Sequence, residues 1–148
     1  MSRTRRTLAD IARKMSEIDF AMLLTHSSRG HIAGRPMSNN REVDYNGDSY
    51  YFAWDGSHVV REIERDPRVA LTLQGEKRMV LGRPGIFICI DGSASVSRDQ
   101  RRFAEHWNKG LDRWFGQGAA TPGLVMIKVR AKRVNYWEGE EEGEIRVE

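Results

Sequence analysis

Residues able to do covalent or metal chemistry are scattered along this chain. The histidines His26, His31, His58 and His106 lie far apart, with no His-x-x-x-His or Cys/His ligand spacing, so no metal site is expected. No G-x-S-x-G elbow activates a serine, and no catalytic acid, base or nucleophile can be assigned. Walker-type and G-x-G-x-x-G phosphate loops are missing as well. What is concentrated is the stretch from Arg35 to Gln74, RPMSNNREVDYNGDSYYFAWDGSHVVREIERDPRVALTLQ. It reads as a strand, an Asn-Gly turn, an aromatic strand, a short helix, an Asp-Pro stop and another strand. Such a β-β-α-β block can hold a flat, phosphorylated ligand, because a helix start offers free N–H groups and the positive end of the dipole.

The elements that must position this stretch follow from local pattern. Thr7 and Asp10 form a capping box ahead of Leu8, Ile11, Ala12, Met15 and Ile18, which are at helical spacing. Phe20 to Thr25 and His31 to Val43 read as strands about a Gly-containing turn, and Pro36 marks an edge, a bulge or a ligand contact. Asn46-Gly47 suits a type I′ hairpin turn leading into Ser49–Trp54. Ser57 can cap a helix whose Val59, Val60 and Ile63 face the core, and Asp66-Pro67 ends it. Val69 to Leu73, Ile86 to Ser97 (bent near Asp91-Gly92) and Leu124 to Trp137 (interrupted near Lys132) complete the strands. Asp99 to Asn108 reads as a third helix, and Gly75–Gly85 and GQGAATPG as loops. Successive aromatics in Tyr50, Tyr51, Phe52 and Trp54 face opposite ways. Trp107 and Trp114 share one face if their helix continues through Gly110, for core and interface packing or as a lid over a planar ligand. The pattern predicts a mainly β fold, a small antiparallel barrel with peripheral helices.

Composition narrows the class. The 148 residues are 39% hydrophobic and 30% charged, which suits one globular domain with a core spanning 1–148. No apolar run has the length of a membrane helix, and the start lacks a secretory pattern. With the lone Cys89 read as an inert buried thiol, these features favour the cytoplasm and no membrane partner. The net charge of +3 conceals six Glu and one Arg between Glu138 and Glu148. Residues 1–6 are expected to be a flexible basic arm and residues 139–148 a flexible acidic tail. Arginines dispersed over the surface without a nucleic-acid motif argue against a nucleic-acid partner.

Taken together, RPM at Arg35, the DYNGD turn, YYFAW, VREIERDPRVALTL, the late WN and WF pairs and VRAKRVNYWEG resemble the FMN-binding split-barrel superfamily of pyridoxamine 5′-phosphate oxidases. The likeness is to its general stress protein branch and runs from about Phe20 to Gly139. It implies a six-stranded antiparallel split barrel, a homodimer and FMN bound at the subunit interface. It also implies cofactor contacts from Arg35, Pro36, Met37 and Ser38 on one strand. Further contacts would come from Ala53, Trp54, Ser57, His58 and Val59 at a strand end and helix start, with Trp107 and Trp114 as cover from the late helix of the other subunit. Any redox activity would be that of an FMN-dependent oxidoreductase linked to stress response, with the flavin carrying the electrons.

Departures from the pattern open a second reading. Where the oxidases have Ser-Arg-Lys at the helix start, this chain has Ser57-His58-Val59, and Asn40 stands where their Arg-led segment ends in Lys. Losing two charge-assisted contacts of about 1.5–3 kcal/mol each weakens phosphate binding by about two orders of magnitude or more. Arg35, Arg41, Arg61 or His58 are candidates to compensate. The alternative is therefore a non-enzymatic stress or ligand-sensing dimer with weakened or lost flavin binding. A third reading puts another planar cofactor in the cleft, such as FAD, a deazaflavin, or haem with His58 as a candidate axial ligand. Nothing assigns the oxidases' substrate-phosphate site, which disfavours vitamin B6 chemistry.

Overall fold

The computed structural model describes residues 2–3, 6–39, 45–76 and 85–147. Its strands are β1 (Ser2–Arg3), β2 (Phe20–His26), β3 (Ile32–Ser38), β4 (Asp48–Trp54), β5 (Arg68–Gln74), β6 (Phe87–Ser97), β7 (Leu124–Glu138) and β8 (Glu141–Arg146). Two α-helices, α1 (Leu8–Met15) and α2 (His58–Arg65), and short 3-10 turns between β6 and β7 complete the described elements. The strands form one sheet in the order β1-β8-β7-β6-β5-β2-β3, with β4 on β7 as a branch. β7 is the hub. Its first half, from Leu124 to Arg130, pairs with β4, its second half with β8, and nearly all of it with β6.

Local chemistry accounts for most boundaries. The Thr7 hydroxyl accepts from the Asp10 N–H at 3.2 Å and the Asp10 carboxylate from the Thr7 N–H at 2.9 Å, so α1 starts with both halves of its capping box. Gly47 sits at φ 110°, the left-handed region that the turn into β4 needs. α2 stops at Asp66, just before Pro67. In β6 the register slips between Asp91 and Gly92, opposite Lys132, and a Cβ at Gly92 would overlap the Arg130 carbonyl. Only glycine fits that bulge.

The sheet curls around a core of α1 (Ile11, Ala12, Met15), α2 (Val59, Val60, Ile63) and the inward residues of β2, β5, β6 and β7. A smaller cluster of Phe52, Phe103, Leu111, Phe115, Leu124 and Met126 lies beneath the 3-10 segment. The aromatic strand divides as its alternation requires: Tyr51 and Ala53 enter the main core, Phe52 the smaller one. On the sheet's outer face, Phe87 stands opposite Trp137 across β6 and β7, and Met22, Thr72, Cys89 and Asn135 form the next row. Phe20, Met22, Phe87 and Trp137 are each 39–49% exposed there.

Three expectations change. The acidic tail, expected to be flexible, pairs with β7 from Glu141 to Arg146. A Glu-rich run holds a strand here because cations meet its carboxylates: Arg6 bonds Glu141 at 2.8 Å, and Arg133 lies 3.8 Å from Glu144. The basic arm contributes β1, parallel to β8, and Arg6 is itself held by Glu138 and Glu141. Instead of one helix at Asp99–Asn108 there are 3-10 turns at Gln100–His106 and Lys109–Arg113. Asp99 and Asn108 each cap the N–H two residues on, which breaks the segment at Trp107 and denies Trp107 and Trp114 a common helical face. Asn40, Arg41, Asp44 and most of the Gly75–Gly85 loop lie outside the described residues.

Candidate functional site

The end of β4 and the start of α2 are joined by a two-residue turn. The Ser57 N–H donates to the Trp54 carbonyl at 3.1 Å, Gly56 takes φ 82°, and the Asp55 N–H donates to the Gly123 carbonyl at 2.7 Å. Ser57 occupies the N-cap of α2, yet its side chain caps nothing. Its Oγ is buried and has no hydrogen-bond partner among the described residues. The first N–H groups of α2, at His58, Val59 and Val60, have no acceptor within the helix. A hydroxyl without a partner beside free backbone donors suits a ligand's hydroxyl or phosphate oxygen.

Aromatic rings flank this junction. Trp54, half exposed, meets Phe115 edge-on at 5.2 Å, and Phe115 leads on to Trp107 at 5.8 Å. Trp107 also packs against Phe52 at 4.8 Å, and its indole N–H donates to Asp112 at 2.7 Å. Trp114 faces solvent with the Arg113 guanidinium 5.6 Å from its ring centre. Ala53 and Val59 are buried in the main core, so what they can offer a ligand is backbone. His58 is exposed, its Nδ1 3.4 Å from the Arg61 guanidinium.

The Arg35 segment lies on an edge, as Pro36 requires: among the described residues β3 pairs with β2 alone. Arg35 and Met37 turn inward while Pro36 is exposed and Ser38 half-buried. Arg35 is fully engaged with its own chain. Nη1 donates to the Leu23 carbonyl at 3.2 Å and to Thr25 Oγ1 at 2.8 Å, and Nη2 to Glu62 at 2.7 Å. Thr25 donates its own hydroxyl to the same Glu62 oxygen at 2.8 Å. Glu62 lies on the second turn of α2, so this triad ties β2, β3 and the helix together. A second tie comes from Arg98 at the end of β6, which bonds Asp55 at 2.9 Å and Glu64 at 3.1 Å. The bonds from Arg98 hold the Asp55 carboxyl below its ordinary value.

The structure thus gathers Ala53, Trp54, Ser57, His58 and Val59 at one junction, sets Trp107 in the aromatic cluster behind it, and leaves Trp114 apart. Glu62, Thr25 and Arg98 escaped the sequence reading as site residues, and Phe115 enters it only in the WF pair. Their partners are distant in sequence (Arg35 and Glu62 are 27 residues apart), so no local pattern announces them. Among the described residues no group of three or more His, Cys, Asp or Glu could hold a metal ion, and no helix is long and apolar enough to cross a membrane.

Comparison with known proteins agrees with this architecture. A search of curated proteins found no match. Among solved structures, a Clostridium acetobutylicum protein related to general stress protein 26 superposes with TM-score 0.77 at 12% identity, covering 93% of this chain and 92% of that one. The general stress FMN/FAD binding protein of Xanthomonas citri gives TM-score 0.72 at 20% identity, over 89% and 88% of the two chains. A heme binding protein from Mycobacterium smegmatis gives 0.71 at 14% identity, covering 97% of this chain and 59% of that one. These likenesses establish the split-barrel fold, with the six expected strands as β2 to β7 and β1 and β8 added to them. The sequence profile of the family described as "Pyridoxamine 5'-phosphate oxidase like" matches residues 6–147, so the chain belongs to that family.

Proposed function

We propose that this chain is a flavin-binding split-barrel protein, with FMN held at the β4–α2 junction. The observation that carries this reading is the buried, unsatisfied Ser57 hydroxyl at the N-terminus of α2. Ser57 and the first N–H groups of α2 would bind the polar end of the cofactor, Trp54 would flank it, and His58 and Arg61 would face its charge. The bound flavin would supply electron transfer, making the protein an FMN-dependent oxidoreductase in which these side chains bind and orient. A neighbour that binds FMN/FAD supports the assignment. The homodimer implied by the family resemblance is supported by the outer sheet face, where Phe20, Met22, Phe87 and Trp137 are exposed with Gln74, Thr72, Cys89 and Asn135 among them. A stress-related role rests on the names of the structural neighbours.

Titration of the purified protein with FMN should quench flavin or tryptophan fluorescence at micromolar concentration, and released ligand should have the mass of a flavin. No change up to millimolar flavin would sink the reading. It would favour instead a non-enzymatic ligand-sensing dimer. That second reading draws on Val59 being turned into the core and on Arg35 being tied to Glu62.

A further inference from the structure

The charges around the β4–α2 junction are already matched by the chain itself. Arg35 is bound by Glu62, and Arg98 is shared between Asp55 and Glu64. Of the cations named here, this leaves Arg61, which rests against the His58 ring. Among the described residues, Glu62, Asp55 and Glu64 therefore stand against Arg35, Arg98 and Arg61, with Arg65 turned to the His26 carbonyl at the far end of α2, whereas a bound phosphate monoester would bring close to two negative charges.

The Arg35 pair is not easily redirected toward a ligand. Both terminal nitrogens of its guanidinium are engaged, and Glu62 is 12% exposed against 22% for Arg35. Drawing Arg35 toward an anion would leave the Glu62 carboxylate largely buried without its counter-charge, an unfavourable state. Thr25, 1% exposed, has its hydroxyl bound to the same carboxylate and would lose its arrangement too. The arginine that in the family resemblance leads the flavin-lining segment is here an internal brace.

Resting on the flavin reading above, we infer that Glu62 sets the charge class of the ligand: by neutralising Arg35 it makes the site nearly indifferent to the flavin's phosphate. Riboflavin and FMN are then bound by the same determinants, the Ser57 hydroxyl, the α2 N–H groups and the aromatic flank. The phosphate adds only what His58 and Arg61 supply at an exposed position. Glu62 acts through Arg35 and is a positioning residue.

The test is a pair of fluorescence titrations, riboflavin and FMN, at fixed pH and ionic strength, on the full chain and on Glu62→Gln. Glutamine keeps the shape of the side chain and a bond to Thr25 while freeing the charge of Arg35. The unaltered protein should bind the two flavins within about threefold of each other, since of the described cations named here only the exposed His58 and Arg61 are left to meet the phosphate. In Glu62→Gln the preference for FMN should rise about tenfold or more with riboflavin affinity little changed. A greater than tenfold preference for FMN in the unaltered protein overturns the inference even if the variant fails to fold. A preference that moves less than threefold in a folded Glu62→Gln does the same. Binding of neither flavin by the unaltered protein removes both the inference and the flavin reading. Binding of riboflavin with the wrong ratio removes the inference alone.

Discussion

A buried hydroxyl without a partner disfavours the folded state by about 1–3 kcal/mol, and Ser57 carries one at the mouth of α2. Ser57→Ala should therefore leave the flavin-free protein as stable as before or raise its Tm by about 2–4 °C. The same change should weaken flavin binding about fivefold to tenfold, through loss of one hydrogen bond worth about 1 kcal/mol. Thermal melts without ligand, paired with flavin titration, check both halves. A fall in the ligand-free Tm would mean that the hydroxyl already has a partner. At this scale the sequence was informative about residue types but not about their commitments. Ser57 at a helix start is legible from its neighbours, because capping is local. That Arg35 faces Glu62 and Thr25 depends on how β2, β3 and α2 pack, which no spacing along the chain encodes.

Among the elements, the β7–β8 hairpin is strapped by the N-terminal segment. Arg6 reaches Glu138 and Glu141, Lys14 lies 3.3 Å from Glu138, and the Arg6 N–H donates to the Tyr136 hydroxyl at 3.2 Å. Burial alone would raise the Glu138 carboxyl, but the bonds from Arg6, with Lys14 adding to them, hold it below its ordinary value of 4.5. A carboxylate lowered in this way stabilises the fold above its unfolded value and loses that contribution as pH falls below about 4.5. Arg6→Ala should lower stability by about 1 kcal/mol at neutral pH and flatten the acid limb of a Tm-against-pH series. An acid limb identical in the two proteins would show that the strap contributes nothing. The capping box of α1 and the bend at Asp91-Gly92 are readable, because each is decided within a few residues; Asn46-Gly47 does turn the chain into β4, but among the described residues β4 pairs with β7 and not in a hairpin with β3. β8 is not readable in this way: its carboxylates look like a solvated tail until Arg6 and Arg133 are brought against them. Phe103 and Trp107 have the spacing of a helix, but that spacing says nothing of the Asx caps at Asp99 and Asn108 that interrupt one.

For the whole molecule, the outer sheet face is the largest consequence of the fold that the sequence left implicit. Phe20, Met22, Phe87 and Trp137 come from three strands and converge only once β2, β5, β6 and β7 lie side by side. Met22→Glu puts a charge on the β2 side of that face. On the dimer proposed above, it should give a monomer in sedimentation while leaving the far-ultraviolet circular dichroism intact. An unchanged sedimentation coefficient would place the subunit contact elsewhere. The hub position of β7 also bears on the order in which the chain acquires its structure. Among the described residues β4 finds its sheet partner only in Leu124–Arg130, and β8 pairs with Arg133–Glu138 and, in parallel, with β1. During synthesis, then, β2, β3, β5 and β6 can associate early, while the aromatic strand that bounds the ligand junction waits for about seventy more residues to emerge. Contacts so distant in sequence slow folding toward the millisecond-to-second range. The junction at Ser57 is among the first parts of the chain to be made and among the last to be given its shape.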